Sequence, residues 1–173
     1  MDMQTIFSAS AEIFLVIMIC AVLIVDLFVE GEERKVTFWL SLASLLGTAL
    51  LVLNNTPESR EFIFDGSYVN DPLAGVLKIA SIIMVGVGFI YSRNYLIKSN
   101  LMKGEFFLLS LFGLLGMLIM ISANSLLIMY LGLETLSLSL YALVAFDRNS
   151  SIAAESAMKY FILGAIAAGS LLY

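Results

Sequence analysis

Residues 124–146 read NSLLIMYLGLETLSLSLYALVAF, and this stretch decides the fold. An α-helix rises about 1.5 Å per residue, so about 20 apolar residues cross a hydrocarbon core about 30 Å thick. One carboxylate, Glu134, lies near the middle of the stretch. A charged group there costs about 2.5–3.5 kcal/mol on insertion scales, and each Leu, Ile, Val or Phe returns about 0.3–0.6 kcal/mol. The stretch is therefore predicted to span a membrane despite its acid.

Glu134 belongs to a stripe of polar side chains along this predicted helix. Residues three, four or seven positions apart lie on one face of a helix. The stripe consists of Tyr130, Glu134, Ser137 and Tyr141. One interpretation is a protonated carboxyl that only fixes helix packing. The other is a station on a proton or ion path, which acids inside a membrane favour.

The composition indicates a multi-pass membrane protein. Hydrophobic residues make up 61% of the chain and charged residues 13%, whereas soluble domains carry about 25% charged residues. The net charge of −5 is small and gives no indication of a nucleic-acid partner. The chain has no His and one Cys, so metal, haem and iron–sulfur sites are not indicated. We expect no cofactor, and chemistry limited to protons or ions.

Six apolar stretches predict an all-α, multi-pass transmembrane helix bundle that forms a single domain over residues 1–173. Four spans precede residues 124–146, and a sixth begins near Ile152. The first lacks a basic start and a small-residue cleavage site, so we interpret it as an anchor and not a signal peptide. The four earlier spans are predicted at about residues 12–29, 36–53, 71–91 and 105–123.

Charged and capping residues near the ends of the spans are predicted to have structural roles. Ser10 is predicted to cap the first helix, and Glu12 to favour the helix dipole in its first turn. Asp26 lies beside the charged loop of residues 30–35 and is expected to reach water. Lys78 is expected to extend back to the lipid headgroups from within the third span.

The long loop before the third span predicts a short β-hairpin on the extracytoplasmic membrane surface. Residues 61–70 read EFIFDGSYVN, in which Asp65-Gly66 separates two short alternating runs. The third span then starts at Asp71-Pro72, a capping residue followed by proline at the first helical position.

The basic residues of the loops predict the orientation of the chain. Basic loops remain cytoplasmic. Loops after the second and fourth spans contain only Arg60. Loops after the first, third and fifth spans contain Arg34, Lys35, Arg93, Lys98, Lys103 and Arg148. The N-terminus and the hairpin are therefore expected outside the cytoplasm.

The sixth span offers small residues four positions apart, Gly164/Ala168 and Ala165/Gly169, which predict a close-packing face for another membrane helix. The span reaches Tyr173 with no polar tail and no helix stop. We therefore expect the chain to continue.

The second half of the chain resembles a known family. The runs GLETLSLSLYALVAF and AAESAMKYFILGAIAAGSLLY resemble subunit N of bacterial respiratory NADH–quinone oxidoreductase (complex I), the counterpart of mitochondrial subunit 2. The resemblance is strong over residues 103–173 and weaker in the AEIFL and VDLF runs of the first span and in the hairpin loop. One departure is Ala11, where many members carry proline.

The resemblance implies an antiporter-like, proton-translocating subunit of the bacterial inner (plasma) membrane. Its implied partners are the lipid bilayer and the other membrane subunits of complex I, and it would hold no redox centre of its own. Full members contain two inverted repeats around sites near the membrane midplane. Glu134 and Lys159 match the family positions, and its further lysines would lie beyond Tyr173. The first repeat is thus expected to be incomplete.

The spacing argues against a direct ion pair between Glu134 and Lys159. Antiparallel packing leaves an axial offset of about 7 Å, and the side chains lean apart. Ser137, Tyr141 and water would then fill the interval, while Glu155, four residues earlier, is an alternative partner for Lys159. Two other functions remain open from the residues. One is a subunit of a multi-subunit cation/proton antiporter, and the other is a structural membrane assembly protein.

Overall fold

The computed structural model describes residues 7–29, 34–99 and 101–173, and in this part of the chain it contains six long helices and one hairpin. All six helices are long and apolar enough to cross a membrane. In chain order the elements are α1 (Ser10–Phe28), α2 (Lys35–Asn55), β1 (Glu61–Ile63), β2 (Tyr68–Asn70), α3 (Pro72–Lys98), α4 (Gly104–Ile121), α5 (Leu126–Val144) and α6 (Ser151–Leu172). The predicted six-span helix bundle with a small hairpin is confirmed.

Helix α4 is the centre of the bundle, because α1, α2, α3 and α5 all pack against it. Its fully buried side chains recur every three or four residues, the spacing of one helix face. They are Phe107, Leu111, Leu114 and Leu118. The Phe107 ring meets Phe38 of α2 and Phe89 of α3 edge-on, with centroids 5.7 and 5.1 Å apart. Helix α6 lies at the periphery and packs against α5.

Helix α2 buries a row of hydroxyl groups. The side chains of Thr37, Ser41, Ser44 and Thr48 are all fully buried. Three of these hydroxyls donate to carbonyl oxygens of the preceding turn at 2.7–2.8 Å. Three of the four hydroxyls are thereby satisfied within α2, while that of Thr37 donates to Asp26 of α1. The small side chains leave room for close helix packing.

The predicted hairpin exists, and its turn differs in detail from a two-residue Asp-Gly turn. Strands β1 and β2 pair antiparallel with Phe62 opposite Val69. Three successive turn residues, Phe64, Asp65 and Gly66, have positive φ angles of 52°, 53° and 82°. Only glycine adopts such angles without cost, so the turn is wider and more strained than the sequence predicts.

The hairpin is fixed to the short connection between α4 and α5. The Val69 amide donates to the Ser122 carbonyl at 2.8 Å, and the Asn124 amide donates to the Ser67 carbonyl at 2.9 Å. The Asn124 side chain also donates to the Gly66 carbonyl at 2.6 Å. The hairpin therefore closes one end of the bundle and positions the start of α5.

Two predictions about helix starts have opposite outcomes. The Asp71 carboxylate accepts a hydrogen bond from the Ala74 amide at 2.7 Å, so the predicted cap of α3 is confirmed. The predicted Ser10 cap is wrong, because Ala9 occupies the N-cap position of α1. The Ser10 hydroxyl instead accepts from the side-chain amide of Asn55 at 2.6 Å, which ties α1 to the end of α2.

At the end of the bundle opposite the hairpin, charged side chains make contacts that the sequence did not predict. Asp26 was expected to reach water, but its side chain is only 13% exposed and its carboxylate binds Arg34 at 2.6 Å and the Thr37 hydroxyl at 2.7 Å. Residues 30–33 of the charged loop lie outside the described residues. Helix α3 continues past the predicted end at residue 91, so Arg93 is helical and its guanidinium lies 4.9 Å from the centre of the Phe38 ring.

Candidate functional site

Helix α5, which carries Glu134, is held against α4 by two glycines. A Cβ atom at Gly116 would lie 2.6 Å from the Gly132 carbonyl oxygen, and one at Gly132 would lie 2.9 Å from the Gly116 carbonyl oxygen. Both distances are shorter than van der Waals contact, so only glycine fits at either position. At the start of α5 the Ser125 hydroxyl accepts from the Ile128 amide at 3.2 Å. The position of α5 is thus fixed at its start and at this contact.

The Glu134 carboxylate lies on the side of α5 away from α4. It follows Gly132 by two residues, a rotation of about 200° around a helix with 3.6 residues per turn. Glu134 is half-buried there. Tyr130 lies one turn earlier on the same face of α5 and is also half-buried. Helical spacing places these two residues on one face, as the stripe requires, because both lie within α5.

The rest of the predicted stripe leads toward α6. Ser137 and Tyr141 are also half-buried. The Tyr141 ring meets Tyr160 and Phe161 edge-on at 4.9 and 5.5 Å between centroids, and its hydroxyl lies directly over Gly164. The residues of the stripe thus follow one face of α5, from Tyr130 to the α6 contact.

The small-residue face of α6 has two parts. Ala168 is buried, and Gly164 accommodates the Tyr141 hydroxyl, so this pair packs against α5. Gly169 has open space around it, and Ala165 is exposed. The first part of the predicted close-packing face is confirmed, and the second remains uncovered by the described residues.

Lys159 binds Glu155 and not Glu134. Its ammonium lies 2.6 Å from Glu155 Oε1, the predicted alternative pair. Both side chains are well exposed, at 71% and 68%. They stand about a third of the way along α6, in the part that spans the membrane. The described contacts therefore do not bring Glu134 and Lys159 together.

A buried charged cluster that the sequence interpretation missed lies at the hairpin end. Lys78 Nζ is 2.6 Å from Glu12 Oε1 and 2.8 Å from the Tyr68 hydroxyl, which itself donates to Glu12 Oε1 at 2.8 Å. The Lys78 side chain is 3% exposed and that of Glu12 is 10% exposed. The prediction that Lys78 extends to the headgroups is wrong. Glu12 lies in the first turn of α1 as predicted, but its carboxylate is also paired with Lys78, which the sequence did not indicate.

Tyr68 joins this cluster from strand β2. Burial raises the pKa of its phenol well above the ordinary value, and the nearby Glu12 carboxylate raises it further. The phenol is therefore a lasting hydrogen-bond donor to Glu12. One sequence signal could have predicted the cluster. Glu12 and Lys78 lie in two different apolar spans, each near the end of its span on the same side of the membrane, so the two charges could pair.

Comparisons with known proteins give a family match to the part of the chain that contains Glu134, and relatives that align with nearly all of the chain. Residues 123–173 match the family described as NADH:quinone oxidoreductase/Mrp antiporter, TM. The chain is 51% identical over 162 residues to NADH-quinone oxidoreductase subunit N of Thioalkalivibrio sulfidiphilus and 48% identical over 165 residues to that of Nitrosomonas europaea. These alignments cover 94% and 95% of the chain.

The fold comparison agrees with the sequence comparison. A chain of respiratory complex I from Thermus thermophilus with bound aureothin has a TM-score of 0.72 and 27% identity over 92% of this chain. This chain spans about a third of the length of the relatives it matches, 34% in each case. Its resemblance to subunit N of NADH–quinone oxidoreductase, over that third, is confirmed.

Proposed function

We propose that this chain forms part of the proton-translocating membrane arm of an NADH–quinone oxidoreductase. The observation that carries the proposal is Glu134, a carboxylate in the middle of an apolar spanning helix with a phenol beside it. Ionisable residues in such positions serve proton or ion movement more often than packing. The relatives named subunit N supply the reaction class.

Glu134 is the proposed proton station, and the groups around it are its relay. The Tyr130 hydroxyl, one helical turn from Glu134 on the same face, can both donate and accept hydrogen bonds. Ser137 and Tyr141 continue the same face toward α6. Hydroxyl groups with water between them can pass a proton along this stripe without leaving a charge exposed to lipid.

Lys159 is proposed to act on a face that other protein covers. Charged side chains within the membrane face protein or a water-filled cavity. The Glu155–Lys159 pair is exposed on a span that packs mainly against α5 among the described helices. Further helices of the same single transmembrane domain, or other membrane subunits, would shield it. Lys159 would then exchange Glu155 for a new partner when a proton arrives.

We further propose that the N-terminus and the hairpin lie outside the cytoplasm, in the inner membrane of a bacterium. The support is the uneven distribution of basic residues. The end of the bundle opposite the hairpin carries six of them, including Arg34, Lys103 and Arg148, while the hairpin loop contributes Arg60. Lys78 does not alter this difference, because Glu12 neutralises it.

A cation/proton antiporter subunit is the second candidate, because the family match to residues 123–173 includes Mrp antiporters. The two functions differ in their energy source. The proposed arm moves protons only when NADH is oxidised, whereas an antiporter moves protons against a sodium gradient with no electron donor.

The test uses inverted membrane vesicles that contain the full-length subunit in its native complex. We expect NADH to acidify the vesicle lumen, and a quinone-site inhibitor to abolish the acidification. A sodium gradient without NADH should produce no proton movement that depends on Glu134. Sodium-driven proton movement lost in Glu134→Gln would favour the antiporter.

A further inference from the structure

In the cluster of Glu12, Lys78 and Tyr68, one carboxylate oxygen receives no hydrogen bond from the described residues. In a purely structural ion pair we would expect both carboxylate oxygens to be hydrogen-bonded. Both the ammonium and the phenol donate to Glu12 Oε1. The second carboxylate oxygen, Oε2, is buried, and no donor among the described residues reaches it. Leaving a buried acceptor unsatisfied is destabilising, and more so when the acceptor is charged.

Stability alone does not explain such a pair. Removing two charges from water is costly, and replacing such a pair by well-packed apolar residues of the same volume often leaves a protein equally stable. The cluster joins three separate elements, α1, β2 and α3, in one set of hydrogen bonds of 2.6–2.8 Å. Each of its members also carries an ionisable proton.

A small polar cavity adjoins the cluster. Lys78 lines it together with Ser10, Asn55 and Asn70, and its volume is about 10 Å³. A cavity of this size holds about one water molecule when polar groups surround it. Lys78 donates to Glu12 and Tyr68, so its third N–H remains for such a water.

The other groups around the cluster are neutral or already paired. Helix α2 contributes the Asn55 amide at the cavity, and the end of α4 contributes the Ser122 hydroxyl near the phenol. The N-cap residue of α3, Asp71, is an acid that lies 3.8 Å from Arg60. Glu12 and Lys78 are therefore the charges that set the local field.

We propose that Glu12, Lys78 and Tyr68 form a second proton-binding site at the hairpin end, separate from Glu134. A hydronium ion gives its proton to Glu12 Oε2, which leaves water and a carboxylic acid beside the Lys78 ammonium. Release reverses the step, so one proton is bound and one is released. Tyr68 holds Oε1 and keeps Oε2 as the free acceptor.

This inference rests on the proposed proton translocation. Its test distinguishes failure of the second proton site from failure of the proposed function. The full-length subunit in the assembled complex is reconstituted in liposomes, and protons translocated per NADH oxidised are measured. The double variant Glu12→Gln with Lys78→Met removes both charges and retains shape. We expect it to assemble, to translocate protons about 100-fold more slowly, the lower end for a positioned proton-transfer group, and to translocate fewer protons per NADH oxidised.

The matched control is Glu105→Gln, an acid that is ion-paired to Arg148 at 2.8 Å but half-exposed. It should translocate protons as the wild type does. An assembled double variant with wild-type translocation would overturn the second site. If Glu134→Gln alone then loses translocation, the proposed function stands without it, and if neither variant loses translocation, both proposals fail.

If no Glu12 variant assembles, infrared spectroscopy tests whether Glu12 binds a proton. The Tyr68→Phe variant keeps the ring beside Lys78 and the ion pair, and removes only the hydroxyl that donates to Glu12. During NADH turnover the carboxyl C=O band of Glu12 should appear in the wild type and move to a different frequency in Tyr68→Phe. Identical carboxyl bands in the two proteins would contradict the proposal.

Discussion

Replacing Lys78 by Met tests the buried ion pair directly. The change leaves the Glu12 carboxylate 90% buried without its counterion. Breaking a buried pair by removing one partner costs about 3–5 kcal/mol, because the remaining charge is uncompensated. Glu12→Gln should cost a similar amount for the same reason. The double variant removes both charges, so it should be less destabilised than either single variant.

The assay is a double-mutant cycle on unfolding of the purified protein in mixed micelles. From the burial and the 2.6 Å distance we expect a coupling free energy of at least about 3 kcal/mol. The control cycle uses Glu105 and Arg148, which are 49% and 70% exposed and should couple by about 0.2–1 kcal/mol. Equal coupling in the two cycles would refute the buried pair.

Three further predictions concern the packing, the phenol and the topology. Gly132→Ala should destabilise the α4–α5 contact by about 1–3 kcal/mol, whereas Gly88→Ala, with open space at its Cβ position, should not destabilise the fold; equal unfolding free energies for the two would contradict the contact. Because burial raises the pKa of Tyr68, its stabilisation is complete below the unfolded value of about 10 and falls by up to about 1.4 kcal/mol per pH unit above it. Tyr68→Phe should lack that alkaline loss in unfolding titrations, and an unchanged slope would argue against a buried phenol. Single cysteines at Ser59 and Ser99, both exposed, should react with an impermeant reagent from outside and inside respectively, in a background without the native cysteine. The reverse labelling pattern would invert the topology.

Local signals in the sequence were sufficient for most of the fold. The apolar runs predicted all six spans, and the Asp71-Pro72 pair predicted the start of α3, because capping depends on residues only three apart. The hairpin followed from its Asp65-Gly66 turn. The polar stripe around Glu134 was likewise a matter of spacing within one helix.

The parts that were missed depend on contacts between distant residues. Glu12 and Lys78 are 66 positions apart, and each has an ordinary explanation within its own helix. Only the packing of α1, β2 and α3 shows that the two charges meet. The Gly116–Gly132 contact has the same origin, since either glycine alone is unremarkable in a membrane helix.

The most direct measurement of the central claim is the number of protons translocated per NADH oxidised by the complex carrying Glu134→Gln. Gln keeps the size and much of the hydrogen bonding of the acid and removes its ionisable proton. Glu134→Ala serves as the comparison, because it also removes the packing. We expect the Gln variant to assemble, as judged by subunit content, and to translocate markedly fewer protons than the wild type. An assembled Gln variant with the wild-type ratio, together with an Ala variant that fails only in assembly, would contradict a proton-carrying role for Glu134.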